Sequence, residues 1–289
     1  MSFEDRILGN IDRRRAQRMD LPPMLEKAYL KAQEVLRNPD YSIQMEDFRD
    51  VYGEQVDKEV AIVRDLERKF KQEETPQSKN TKKVADVLEA VVLTQSELSE
   101  WLGNATTLRS APYDDYVNKV DMLAEWYTPQ DGSRLLALCV DVTFGPTAID
   151  KKLTEIRREI DSGKLGTVKY FKDIRENFKG SRFNVPRTVI GIGQGQVEQL
   201  ARLWIEGEKK QLGTHPVQRV FIDQIHSQLL LMHEYARASG KKAVMDSIEE
   251  ALAAVSPVYS SKVGIDASAL ATDPVVEEIA RRSREVFRV

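Results

Sequence analysis

Past residue 83 the hydrophobic period of this chain changes, and that change constrains the fold more than any other feature of the sequence. Two short runs rich in β-branched and aliphatic residues, Val117 to Trp126 and Arg134 to Thr143, flank the turn-type cluster Tyr127-Thr128-Pro129-Gln130-Asp131-Gly132-Ser133. Together they predict a β-hairpin. A helix over Lys83 to Leu102, carrying Val84, Val87, Leu88, Val91, Val92, Leu98, Trp101 and Leu102, precedes it. Thr147 to Asp161 returns to helical spacing through Ile149, Leu153, Ile156 and Ile160, and Ser162-Gly163 ends it. Thr167 to Phe171 and Val185 to Ile192 predict further strands, and a helix from Gln196 to Glu206 follows. Helix, two strands, helix, two strands, helix is a mixed α/β order.

The flanks are helical. Phe3 to Arg18, Pro22 to Arg37 and Met45 to Phe70 carry helical patterning, with Leu25, Ala28, Tyr29, Ala32, Val35 and Leu36 forming one stripe on the second. Residues 71–83 hold no apolar side chain and read as a solvated linker. At the other end, helices are expected over Pro216 to Ala238, Lys242 to Ala254 and Pro274 to Val286, with Asp273 as N-cap of the last and a loop from Ser256 to Thr272. The organisation is therefore a helical region over 1–70, a linker over 71–83, an α/β core over 84–207 and a helical region over 208–289.

Two carboxylates in apolar strands need a reason. Asp121 follows Lys119-Val120 in the first hairpin strand, and Asp141 lies in Cys139-Val140-Asp141-Val142-Thr143 at the end of the second. With a turn near Asp131 they are about equally far from it and can face each other across the pair, within reach of one divalent cation. Mg²⁺ or Mn²⁺ is the expectation, because such ions take oxygen ligands and need only one or two carboxylates beside a phosphate. A strand-end Asp also caps turns, so a purely structural role for Asp141 is the alternative at this point.

In these residues the chain resembles the PD-(D/E)XK nuclease superfamily, over roughly Lys83 to Glu206. Val120-Asp121 followed by Asp141-Val142-Thr143 matches its paired acidic motif, with an acidic helix before and a lysine-bearing helix after. The resemblance implies a restriction-endonuclease-like αβββαβ core with helical N- and C-terminal extensions. It implies Asp121 and Asp141 as metal ligands, with Glu89 or Glu97 of the preceding helix assisting, and hydrolysis of phosphodiester bonds in DNA, or secondarily RNA. The pattern departs from the family at Thr143, where a lysine belongs. Lys152 is the expected substitute because it borders the apolar stripe of its helix, whereas Lys151 projects from the opposite face with Glu155 and Arg158. Lys169 is the reserve. Because of Thr143, a catalytically silent nuclease-like domain or helical scaffold, binding nucleic acid or a protein partner, stands as the rival expectation.

Composition narrows the remaining choices. Lys and Arg (43) nearly balance Asp and Glu (46) for a net charge of -3, so nucleic-acid contact would use a local patch rather than a uniformly basic surface. The basic run Asp12 to Arg18 is read first as a solvated helix face. A single cysteine, Cys139, excludes an internal disulfide and fits a reducing, cytoplasmic setting as a buried free thiol. The N-terminus has no apolar signal core and no membrane partner is expected, whereas a homo-oligomer is compatible with the sequence. Gly191-Ile192-Gly193-Gln194-Gly195 is read as a tight strand-to-helix turn, and His215, His226 and His233 as packing or surface residues. Tyr113, Tyr116 and Trp126 have core packing as their first reading and base stacking as their second.

Overall fold

A computed structural model describes residues 21–128, 132–141, 146–173 and 178–288. The expected helix Phe3 to Arg18, the basic run Asp12 to Arg18, the centre of the hairpin turn and Thr143 lie outside the described residues.

The α/β expectation holds at the coarse level: helices surround two small sheets. Helix α1 spans Pro23–Arg37, α2 Gln55–Glu73 and α3 Pro76–Ser99. Strand β1 (Thr106–Arg109) leads through the short helix α4 (Pro112–Tyr116) to β2 (Met122–Thr128) and β3 (Gly132–Asp141). Helix α5 (Pro146–Ser162) and a hairpin of β4 (Gly166–Lys172) and β5 (Lys179–Val185) connect β3 to β6 (Arg187–Gly191). The C-terminal part adds α6 (Gln194–Glu206), α7 (Val217–Ala238), α8 (Lys242–Lys262) and α9 (Pro274–Val286).

The larger sheet has the order β1-β2-β3-β6. Its first three strands are antiparallel neighbours, and β6 joins β3 in parallel after the long crossover through α5. Strand alternation sends β2 side chains to two cores: Met122, Ala124 and Trp126 enter the main cluster, while Leu123 packs with Val120, Phe48, Tyr170 and Phe171 on the other side. The main cluster also takes in α1, through Leu25, Ala28, Ala32 and Leu36, and α7 to α9, through Phe221, Ile225, Val255 and Ile279.

The outer edge of β6 is covered rather than exposed. Gln228 of α7 accepts from Val189 N at 2.8 Å and donates to Val189 O at 2.7 Å. One turn earlier Gln224 does the same at Gly191, at 3.0 and 2.8 Å. Two amides at i and i+4 thus replace a neighbouring strand and satisfy backbone groups that burial would otherwise leave unpaired.

Several boundaries depart from expectation. Residues 71–83 are not a linker: α2 runs to Glu73 and α3 starts at Pro76. Thr75 and Ser78 form a capping box and Pro76 occupies the first turn, so the polar composition marks exposed helix surface, not unstructured chain. The single helix expected over Met45 to Phe70 is broken at Gly53, whose φ of +53° ends a one-turn helix before α2 begins. Residues 112–121 form α4 and a loop, so β2 starts at Met122 rather than Val117. β1 and β5 carry too few apolar residues to stand out in the sequence. Helix α8 continues through Pro257 to Lys262, where a loop was expected.

Candidate acidic site beside the sheet

Helix α3 presents Lys82, Asp86 and Glu89 at positions i, i+4 and i+7, one face of the helix. Asp86 and Glu89 are buried although they lie among Val84, Val87, Leu88 and Ala90. Opposite them β1 ends in Arg109, whose Nε lies 3.7 Å from Glu89 Oε2 and whose Nη2 lies 3.6 Å from Asp115 Oδ2. Asp86 accepts a hydrogen bond from Gln33 Nε2 of α1 at 2.9 Å. Asp121 immediately precedes β2, and Lys152 Nζ of α5 stands 3.9 Å from its Oδ2.

The loop between β1 and β2 is fixed by the aspartate next door. Asp114 is fully buried and accepts from Lys169 N at 2.7 Å, Tyr170 N at 2.9 Å and Asn118 Nδ2 at 2.6 Å. Ser110 N donates to Asp121 O at 3.1 Å, closing the base of the loop. Clamped in this way, α4 points Asp115 toward Arg109.

Crowding of acids shows in their protonation. Burial pushes Glu89 well above the usual carboxylate range; Arg109 opposes the shift, and Asp121, Asp86 and Asp115 add to it. Asp115 is pushed up to about 7 by burial and then by Asp121, against Arg109 and Lys82. Asp86 is also raised by burial, with Arg109 and Lys82 opposing. Burial disfavours the Arg109 guanidinium, but Glu89, Asp115 and Asp86 outweigh it and hold it charged.

Of the residues the sequence singled out, Asp121 and Lys152 come together, and Lys151 is exposed. Asp141 closes β3 beside Gly191 of β6, with its side chain outside the described residues, as is that of Cys139. Because Met122 pairs with Leu138, continuing the register sets Asp121 against Cys139, so Asp121 and Asp141 are diagonal rather than directly opposed. Of the two assisting glutamates, Glu89 joins the cluster, whereas Glu97 is exposed and accepts from Thr107 N at 3.4 Å. Lys169 is corrected: its ammonium pairs with Glu59 among the rings of Tyr52, Tyr113 and Tyr170, because β4 faces the second core rather than the hairpin carboxylates. Arg109, Asp115 and Asp86 were missed, although two acids three residues apart in an apolar helix are a legible sign for Asp86.

The other motifs have local explanations. Trp126 Nε1 donates to Leu102 O at 3.1 Å, and Tyr116 stacks on Phe70. His226 stacks on Tyr259. The Gly193 N–H is taken by Asp273, the N-cap of α9, and a Cβ there would meet Asp273 Oδ2 at 2.7 Å, so this glycine serves a close approach.

Oxygen-only donors suit Mg²⁺ or Mn²⁺. Glu89 Oε2 is buried with no hydrogen-bond partner, and the positive charge that faces it is the Arg109 guanidinium at 3.7 Å. Among the described residues no group of three or more Asp, Glu, His or Cys is gathered closely enough to hold a metal ion, and Arg109 separates Glu89 from Asp115.

No family model, curated protein or solved structure matches the chain. The functional reading therefore rests on the residues themselves. Among the described residues no helix is long and apolar enough to cross a membrane.

Proposed function

We propose that the chain is a metal-dependent phosphodiesterase of the PD-(D/E)XK type, acting on DNA in preference to RNA. The observation that carries this reading is the 3.9 Å approach of Lys152 to Asp121, with Glu89 of the preceding helix in the same electrostatic cluster. The order of α3, an antiparallel β1-β2-β3 meander, α5 and a parallel β6 supports a restriction-endonuclease-like core. Asp121 and Asp141 would hold Mg²⁺ or Mn²⁺, with Glu89 beside them, and such an ion supplies Lewis acidity at a phosphate oxygen and lowers the pKa of water. Lys152, already oriented by Asp121, places a positive charge where the scissile phosphate would develop negative charge, in place of the lysine missing at Thr143.

Cleavage of plasmid DNA with Mg²⁺ or Mn²⁺ tests this. Lys152→Ala is expected to lower the rate on the order of a hundredfold and Lys151→Ala to change it little, a contrast that bulk charge cannot produce. Equal rates for the parent and both variants would remove Lys152 from the mechanism. Arg109 inside the cluster and Thr143 at the lysine position favour a second reading, a silent domain that binds nucleic acid. It predicts no cleavage by the parent, and equal, salt-weakened losses of DNA binding for the two lysine variants.

A further inference from the structure

Between α7 and α9 lies a groove of about 450 Å³ that shares no residue with the acidic site. The two helices run side by side: Tyr235, near the end of α7, packs at 6.2 Å against Phe287, just past the end of α9. Val220 and Leu231 of α7, Val276 and Ile279 of α9, and Ala267 and Ala271 of the segment before α9 give the groove apolar walls. The Gln224 and Gln228 amides also line it, but they are engaged by Gly191 and Val189 and ask nothing of a ligand. Leu230, in the same lining, is 46% exposed and leaves apolar surface in water.

The charges around the groove are unequally matched. Asp223 is neutralised by Arg219 of its own helix at 2.7 Å. On α9, Arg281 and Arg282 pair with Glu278 and Glu285. Arg284 has no such neighbour. Ala280, Arg281, Phe287 and Arg288 stand one turn away from it on either side, and no carboxylate among the described residues pairs with its exposed guanidinium. The helical rise sets Arg284 about 12 Å along α9 from Val276, so the groove is an apolar trough with one unmatched cation toward one end.

We propose that this groove binds a linear monocarboxylate of about eight to ten carbons, with its chain along the trough and its carboxylate on Arg284. At about 30 Å³ for each water-sized group, a chain of about ten carbons with its two carboxylate oxygens takes roughly 360 Å³, which the groove can hold. A cationic head or a basic peptide would meet Arg284 with like charge, whereas a carboxylate offers two acceptors to its planar donors.

Calorimetric titration of sodium decanoate, below its micellar range, into the full chain tests this, with octanoate, decan-1-ol and decyltrimethylammonium as comparisons. Decanoate is expected to bind at one site roughly tenfold more tightly than octanoate, because two further methylenes enter the trough. Its affinity should exceed those of the alcohol and the cation. Arg284→Gln should lose about threefold to fivefold for decanoate and leave decan-1-ol unchanged. Ala280→Phe, which fills the groove, should lose both ligands, with circular dichroism to verify folding. Should Ala280→Phe not fold, the Arg284→Gln contrast decides alone. No saturable binding of decanoate to the parent, equal affinity for the cationic chain, or unaltered decanoate affinity in Arg284→Gln overturns the proposal. A parent that sediments as a dimer, and that Ala280→Phe makes monomeric, also overturns it, because a second copy of the chain would then occupy the groove.

Discussion

Asp114 and Asp115 are neighbours with opposite tasks. Asp114 spends its carboxylate on backbone N–H groups of β4, and Asp115 faces an arginine among other acids. The folded pKa of Asp115, about 7, lies above the roughly 3.9 of an unfolded aspartate. The native state thus binds that proton more tightly, and its contribution to stability is full below about pH 4 and lost as pH rises toward 7. Asp115→Asn should flatten this decline, gaining on the order of 2 kcal/mol at pH 8 relative to its effect at pH 4, since 30% of the side chain is still exposed. Urea denaturation across that range measures it, and parallel pH profiles for parent and variant would count against the burial of this carboxylate. Asp121→Ala and Asp141→Ala should each abolish Mn²⁺ binding by calorimetry. Asp121→Ala should leave the fold intact, because it also removes the negative charge that raises Glu89 and Asp115. Unfolding of both variants, with no metal bound by the parent, would assign these carboxylates to structure.

Among the elements, α7 takes over the work of a strand. Gln228→Ala leaves the buried N–H and C=O of Val189 unpaired and should cost about 2 to 4 kcal/mol in chemical denaturation. An exposed glutamine elsewhere on the surface, replaced by alanine, provides the baseline, and an equal effect there would show that the amide pairing adds nothing. The α2–α3 junction makes a second test. If Thr75 and Ser78 start a helix, trypsin should cut slowly at Lys79, Lys82 and Lys83, and Thr75→Ala should speed cutting and cost about 1 kcal/mol. Rapid cutting of the parent there would restore the linker.

Across the whole molecule the main core does not stop at residues 84 or 207. Leu25, Ala28, Ala32 and Leu36 of α1 and Phe221, Ile225, Val255 and Ile279 of the C-terminal helices share one cluster with Val87, Leu136 and Val189. A fragment of residues 84–207 would expose those faces and lose Gln33 and Gln228 from the site and the sheet edge. It should therefore lack near-ultraviolet dichroism and a cooperative melt; a cooperative melt in the fragment would establish an independent unit.

Local pattern was enough for the hairpin, the crossover helix α5, β6 and most helices, because each depends on a hydrophobic period and turn residues read within one segment. It was also enough to single out Asp121 and Lys152, an acid in an apolar run and a lysine bordering an apolar stripe, whereas the resemblance left Glu89 and Glu97 as alternatives and only the packing of α3 against β1 distinguishes them. Thr106-Thr107-Leu108-Arg109 has no such period, since a four-residue strand is held by its neighbour β2 and by Tyr41 and Ile43 rather than by its own burial. The polar run at 71–83 misled because composition reports exposure, and helix there depends on a capping box and on the packing of the buried Val84 to Ser96 stretch of the same helix. That Arg109 and Asp115 join the acidic cluster, and that Lys169 belongs to Glu59, depended on which faces of β1, α4 and β4 meet across the sheet. Those encounters bring residues from distant segments within 4 Å, and charge chemistry at that range is set by tertiary packing, not by spacing along the chain.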